Sequence, residues 1–309
     1  MTSLMRTACP DWLSLFNSEA FHALNVGPGQ VARSFTYEED ARPVCTLSGV
    51  LEGDVLTSGF SAPFGGPDFA RSRETPGRIV AAIAEVVAQA ERDGARTIRI
   101  RGRGASWSAN EPVVHFALLN LGFRMEVADL NYAVDLRRFA TIDDYVAALR
   151  SPARRALRHA AGEPFAFGET DTWEAPYAVL DCNRRDRGRR LALSLEYLDR
   201  ARAALPGRVR MFELRHNDAI CAAALVFVVQ PQRWYVQAWG DAMHELRRSP
   251  MNTLVHRVVE HALSEGVEVL DLGRTTEDAP DGTLRVGEGL AQFKQSILAH
   301  AELRPVLVR

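Results

Sequence analysis

Asp271 closes the apolar run from Val267 to Leu270 and stands two residues ahead of Gly273. A carboxylate where a buried strand ends can hold or deprotonate an amine if desolvation raises its pKa. The same position also suits a cap or turn residue before the glycine. Glu288 and Asp241 are weaker instances of the pattern. His244 has the intrinsic pKa of a base near neutrality, but a single His in a charged loop is ordinarily solvated. Ser249 precedes Pro250 and a helical spacing of apolar residues, so it is expected to cap a helix there. The free N–H groups of that first turn, up to Asn252, together with Arg247 and Arg248, form the best anion site in the chain. An ordinary capped helix start is the equal alternative. Trp107, Trp173, Trp234 and Trp239 read as core, with lining of the cleft the alternative for Trp239, beside Gly240 at a strand end.

Two arginine clusters stand out. Arg150, Arg154, Arg155 and Arg158 fall at helical spacing, and Arg184, Arg185, Arg187, Arg189 and Arg190 crowd a segment opposed only by Asp186. Either could meet a phosphate-bearing donor or acceptor, such as CoA, tRNA or a nucleotide-activated sugar, although a charge run is usually a solvated face. The formal net charge of −2 over 309 residues gives no global pull toward nucleic acid or anionic lipid. Cys9, Cys45, Cys182 and Cys221 are scattered, with no CxxC, which argues against a zinc site or a disulfide framework and fits a reducing cytoplasm. Walker A, GxGxxG after a strand, HExxH and GxSxG are all absent. The N-terminus has no signal-peptide pattern, and the longest apolar stretch, Ile220–Val229, is too short to span a bilayer, so no membrane insertion is expected.

The elements that must position these residues alternate between strand and helix, the pattern of a mixed α/β layer architecture. Strands are expected at Val44–Leu51, Val55–Phe60, Thr97–Arg101 and Val127–Leu136, with helices at Pro76–Arg92 and Pro112–Leu121. Residues 137–160 read as a join carrying two short helices. The second half repeats the logic, with helices at Trp173–Arg185 and Leu195–Leu205 and strands at Val209–Arg215, Ala219–Val229 and Trp234–Trp239. Helix Pro250–Glu265 and strand Val267–Leu272 follow. His216-Asn217-Asp218 suits a hairpin turn. Ligands in open α/β sheets gather at strand carboxyl ends and helix N-termini, which points to Gly240–Asn252 and Asp271–Arg274.

The stretches WYVQAWGDA (234–242), SPMNTLVHRVVEHALSEGVEVLDLG (249–273) and GEGLAQFKQSI (287–297) resemble the FemABX family and related acetyltransferase-like (GNAT) sequences. SPARRALRHA (151–160), NRRDRGRRLALSLEYL (183–198) and SAPFGGPDF (61–69) extend the resemblance over most of the chain. It implies two tandem GNAT-like α/β domains with mixed central sheets, residues 1–140 and 141–309, the second carrying the active site. The implied chemistry is transfer of an acyl or aminoacyl group to a small-molecule or peptide amine without a metal. The donor would be an acyl thioester such as acyl-CoA, or an aminoacyl-tRNA acting on a cell-wall precursor, with tRNA a partner only as donor. A degenerate, non-catalytic ligand-binding protein of the same fold is the rival reading.

The family pattern puts Lys294 near the reaction centre, where an ammonium would stabilise developing negative charge; a solvated surface lysine is the equal alternative. It also draws Arg155, Arg187, Gly273, Arg274 and Phe293 toward the substrate and Trp239, Gly240, Arg247, Arg248, Ser249 and Asn252 toward the donor. Phe293 fits a core position as well as a platform. One departure is clear: the Q/R-x-x-G-x-G/A loop of CoA-dependent GNAT enzymes does not occur at Gly240–Pro250, and Arg101-Gly102-Arg103-Gly104-Ala105-Ser106 is only a near match in the first half.

Overall fold

The computed structural model describes residues 10–242, 249–279 and 282–309. The chain divides into two compact units, Met1–Ala128 with Arg304–Arg309, and Asp129–Leu303.

The first unit contains α1 (Glu19–Asn25), β1 (Gln30–Glu39), β2 (Arg42–Glu52), β3 (Val55–Ser58), β4 (Asp68–Phe69), α2 (Pro76–Arg92), β5 (Thr97–Arg101) and α3 (Glu111–Asn120). β1, β2 and β3 form an antiparallel run, and β5 adds parallel to β3. Pro76 opens α2, where a missing N–H is harmless. One face of the helix then buries Ile79, Ile83, Val86 and Val87 against Leu47, Leu56, Ile98 and Ile100. Each such side chain contributes roughly 1.5–3 kcal/mol of transfer free energy. The loop at 61–69 is pinned by apolar contact and by charge: Phe64 is fully buried and packs edge-on against Phe16 and Trp107. Asp68 accepts from Arg103 (2.6 Å), Asn17 Nδ2 (2.7 Å) and the Ser14 N–H (3.0 Å), all buried.

Strand β6 (Arg124–Asp135) leads into the second unit. There follow α4 (Ile142–Ala148), α5 (Ser151–Ala160), β7 (Phe165–Glu169), α6 (Glu174–Arg185), α7 (Leu195–Ala204), β8 (Val209–His216), β9 (Ala219–Gln230) and β10 (Arg233–Asp241). Then come α8 (Pro250–Ser264), β11 (Val269–Arg274), the short pair β12 (Thr276–Asp278) and β13 (Leu284–Val286), and α9 (Glu288–Ser296). β14 (His300–Val308) ends in the first unit, where Val306–Val308 pair with β5. In the second unit the strand order is β6-β11-β10-β9-β8-β7, antiparallel except for β10 beside β11. Asn217 and Asp218 take positive φ (47° and 66°), as a tight β8–β9 hairpin turn demands. Helix α8 packs its Leu254, Val255, Val258 and Val259 into the core with Trp234, Val236 and Trp239, while α6 lies against β9 and β10. The mixed α/β class expected from the alternation is the one observed. Among the described residues, no helix is long and apolar enough to cross a membrane.

Candidate active site

The parallel pair at the centre of the second unit is short. β10 and β11 pair only at Arg233–Val269, Trp234–Leu270 and Tyr235–Asp271. Beyond Tyr235, β10 stays with β9 as far as Asp241, while β11 runs on to Arg274 beside β6. From Val236 onward that edge of β10 has no strand partner among the described residues. The β9–β10 register also slips between Val236 and Ala238, leaving Gln237 as an extra residue. Such a bulge bends a strand and re-aims its side chains. Here it puts Trp239 in the same core cluster as Trp234 and Val236, a face that strict alternation from 234 would deny it.

The end of β11 is built around charge. Asp271 is 3% exposed, and its Oδ1 accepts from Asn131 Nδ2 (3.1 Å) and the Gly273 N–H (2.8 Å). Asn131 Nδ2 also reaches Glu302 Oε1 at 2.9 Å. Gly273 has φ of 74°, and a Cβ there would stand 3.1 Å from the Tyr235 hydroxyl, so both conformation and space call for glycine. Lys294, on α9, is the only lysine in the chain and is 1% exposed. Its Nζ donates to Gly273 O (2.8 Å), Arg274 O (3.1 Å) and Thr275 Oγ1 (3.0 Å), and it lies 5.8 Å from the centre of the Tyr132 ring. An ammonium has three N–H donors, and these three oxygens match that number.

The end of β10 is equally tight. Asn183 of α6 donates to the Asp241 backbone carbonyl (2.8 Å) and to its Oδ1 (3.0 Å). Burial pushes the Asp241 carboxyl above the usual range, and Arg187, 4.0 Å away, pulls the other way. The helix that follows departs from expectation. Ser249 does not cap α8: it sits in the left-handed region (φ 54°, ψ 45°), and its side chain makes no capping bond. An N-cap side chain reaches the first-turn N–H groups from an extended backbone, which Ser249 lacks. Arg247 and Arg248, expected beside it, lie outside the described residues, as does His244.

Asp271, Gly273, Arg274 and Lys294 are thus brought together by hydrogen bonds. Phe293 packs edge-on against Trp239, with ring centres 5.9 Å apart; Gly240 and Asp241 both meet Asn183, and Arg187 approaches Asp241. Arg274 is exposed between Asp129 and Asp278, each 3.7 Å away. Asn252 is half-buried in the first turn of α8, Glu288 is exposed at the start of α9, and Arg155 is exposed on α5. Asn131, Tyr235, Gln237 and Thr275 were not singled out by the sequence. The one local signal was the polar Asn131 inside an otherwise apolar strand end. Among the described residues, no three His, Cys, Asp or Glu side chains gather closely enough to hold a metal ion.

A sheet that opens along a parallel pair, beside a bulge and ahead of a helix, is a ligand-binding architecture of α/β proteins. Residues 145–287 match the family described as acetyltransferase (GNAT) domain. The fold is similar to that of FemX, at 12% identity and a TM-score of 0.71, covering 95% of this chain and 91% of FemX. Also similar is the C-terminal domain of a putative lysylphosphatidylglycerol synthetase from Agrobacterium fabrum (16% identity, TM-score 0.56, 91% and 84% covered). L-PGS from Bacillus licheniformis is comparable (15% identity, TM-score 0.54, 89% and 83% covered). No curated protein matches the chain by sequence. The second unit therefore carries a GNAT-superfamily domain, and the chain as a whole has a FemABX-like fold.

Proposed function

We propose that the protein is an N-acyltransferase that moves an acyl group from a thioester donor to an amine in the second unit. The supporting observation is the early parting of β10 from β11 with the bulge at Gln237. An extended acyl carrier laid along the released edge of β10 would take main-chain hydrogen bonds there, as a strand adds to an open sheet edge. In the transfer, the amine nitrogen attacks the thioester carbonyl carbon. A C–N bond forms, the C–S bond breaks, and the proton lost by the amine ends on the departing thiolate. Asp271, or a water it holds, takes that proton in passing. Lys294 supplies a fixed positive charge at the strand end. Its donors are already engaged, so it acts through its field and by holding residues 273–275 in place rather than by a new hydrogen bond.

A second reading keeps the site and changes the donor to an aminoacyl ester, so that a C–O bond breaks instead. The fold shared with FemX favours it, as does the fold shared with synthetases named for a lysyl-bearing lipid. The deciding experiment is the thermal midpoint of the full chain with acetyl-CoA, longer acyl-CoAs and free CoA, followed by turnover with amine acceptors. Because a ligand that binds only the native state raises the midpoint, a saturable rise with one acyl-CoA and formation of an amide supports the thioester reading. No rise with any of them, together with aminoacyl-tRNA binding that weakens steeply with salt, moves the assignment to the aminoacyl donor. Ligand binding without turnover on either donor would leave a non-catalytic binding protein. Unchanged turnover in both Lys294→Ala and Asp271→Ala would remove those two residues from the mechanism.

A further inference from the structure

A cavity of about 130 Å³ lies between α6, the segment leading to α7, and β10. Its floor is Gln237 and Ala238, the residues of the bulge, and Leu180, Leu198 and Leu225 give it apolar walls. Arg184, from the last turn of α6, lines it. The arginines around it differ in how their charge is met. Arg189 is paired with Glu277, and Arg187 lies 4.0 Å from Asp241. Arg190 is exposed to solvent. Arg184 is only partly exposed, and no acidic side chain among the described residues pairs with it. Burial, followed by repulsion from Arg189 and Arg187, lowers its pKa, and Tyr235 partly offsets this. A guanidinium partly withdrawn from water without a counter-charge is costly, so an anion entering the cavity would relieve that cost.

We propose that this cavity binds the carboxylate of the acceptor, so that the acceptor is a small amine carrying a carboxylate, an amino acid in the simplest case. The inference rests on the transferase reading for the word acceptor, but the binding site itself does not. A single uncompensated guanidinium balances one negative charge, and its planar fork matches the two oxygens of a carboxylate. The apolar walls suit a short hydrocarbon link, and a cavity of this size holds a small group rather than a polymer. Tyr235, two residues before Gln237 on β10, reaches the strand ends: its hydroxyl is the nearest atom to where a Gly273 side chain would be. A carboxylate at Arg184 would leave the amine of the same molecule on the bulge side of the cavity.

The test is calorimetric titration of the full chain with glycine, alanine and leucine, with the matched amines methylamine, ethylamine and isoamylamine, and with phosphoethanolamine and inorganic phosphate. At least one amino acid should bind saturably while its matched amine does not. Arg184→Gln should weaken that binding at least tenfold, and its unliganded thermal midpoint should equal or exceed that of the parent, because an unpaired charge has been removed. A lower midpoint would mark Arg184 as structural and overturn the proposal. So would binding by phosphoethanolamine or phosphate alone, equal binding of amino acid and matched amine, or no binding by any probe. Donor binding is measured separately with acyl-CoA and aminoacyl-tRNA. If neither donor binds while an amino acid does, the transferase reading falls and the cavity assignment stands.

Discussion

Asn183 occupies the space that any side chain on residue 240 would need: a Cβ on Gly240 would lie 2.7 Å from Asn183 Cγ. The same amide holds the last residue of β10 through both the carbonyl and the carboxylate of Asp241. Gly240→Ala must therefore push α6 from the strand or break these bonds. The expected cost is about 1–3 kcal/mol, in the range of overpacked sites, read as a lower urea midpoint. Asn183→Ala made together with Gly240→Ala should recover part of the packing loss. If Gly240→Ala alone leaves the midpoint unchanged, the contact is not a constraint.

Lys294→Met keeps the length of the side chain and removes the charge. It leaves the carbonyls of Gly273 and Arg274 without their buried donor, and a buried polar group left unpaired costs about 1–3 kcal/mol. Turnover should fall by roughly 10²-fold if the charge stabilises the transition state. A fall in stability with turnover intact would leave Lys294 a purely structural residue.

In the first unit, Asp68→Ala strips the nearer of two acidic partners from buried Arg103, leaving Glu111 at 3.6 Å, and takes the acceptor from two further donors. Breaking one side of a buried pair typically costs about 3–5 kcal/mol. Chemical denaturation should show a loss of that order, and proteolysis at residues 61–69 should accelerate.

The first unit should also weaken in acid. Burial lowers the pKa of both His22 and His115 below the ordinary 6.5, and each has a ring nitrogen buried without a partner. Both are neutral when folded at a pH where the unfolded chain already takes up protons. Their stabilising contribution is whole above about pH 6.5 and is lost as the pH falls through the folded values. His22→Gln should flatten the decline of the thermal midpoint below pH 6.5, and an unaltered slope would count against the assignment.

Asp241 has the opposite sign. Its folded pKa is raised, so its contribution is complete below the ordinary carboxylate value of 3.8 and is lost as the pH rises through the folded value. Asp241→Asn keeps an acceptor for Asn183 and should raise the thermal midpoint at neutral pH relative to the parent. The difference should shrink as the solution is acidified.

Much of this was legible from local pattern. The expected spans of α2 (Pro76–Arg92) and β5 (Thr97–Arg101) coincide with those observed, because apolar spacing and the opening proline act within each segment. The Asn217-Asp218 turn is likewise a local preference. β1 leaves little mark in the sequence, although Phe35 and Tyr37 alternate, because only Phe35 is buried and most of the strand is polar. The departure of Ser249 from capping geometry is a backbone state that its residue type does not announce. The bulge at Gln237 is a relation between two strands and leaves no mark on either alone. The isolation of Arg184 was invisible in a run of five arginines, since it depends on which neighbours find acids at a distance: Glu277 for Arg189 and Asp241 for Arg187.

On the proposed transferase reading the protein is exposed to activated acyl groups, and ε-amines are the usual casualties. This chain carries 37 basic residues, and its single ε-amine is locked behind the Gly273–Thr275 carbonyl and hydroxyl cage. Arginine, which supplies the rest, is not a comparable nucleophile. Lys294 can react with an ester reagent only when that cage opens, so its labelling rate reports local opening at the end of β11. The residue is thus a built-in gauge of the site's integrity, readable by mass alone in the unmodified protein.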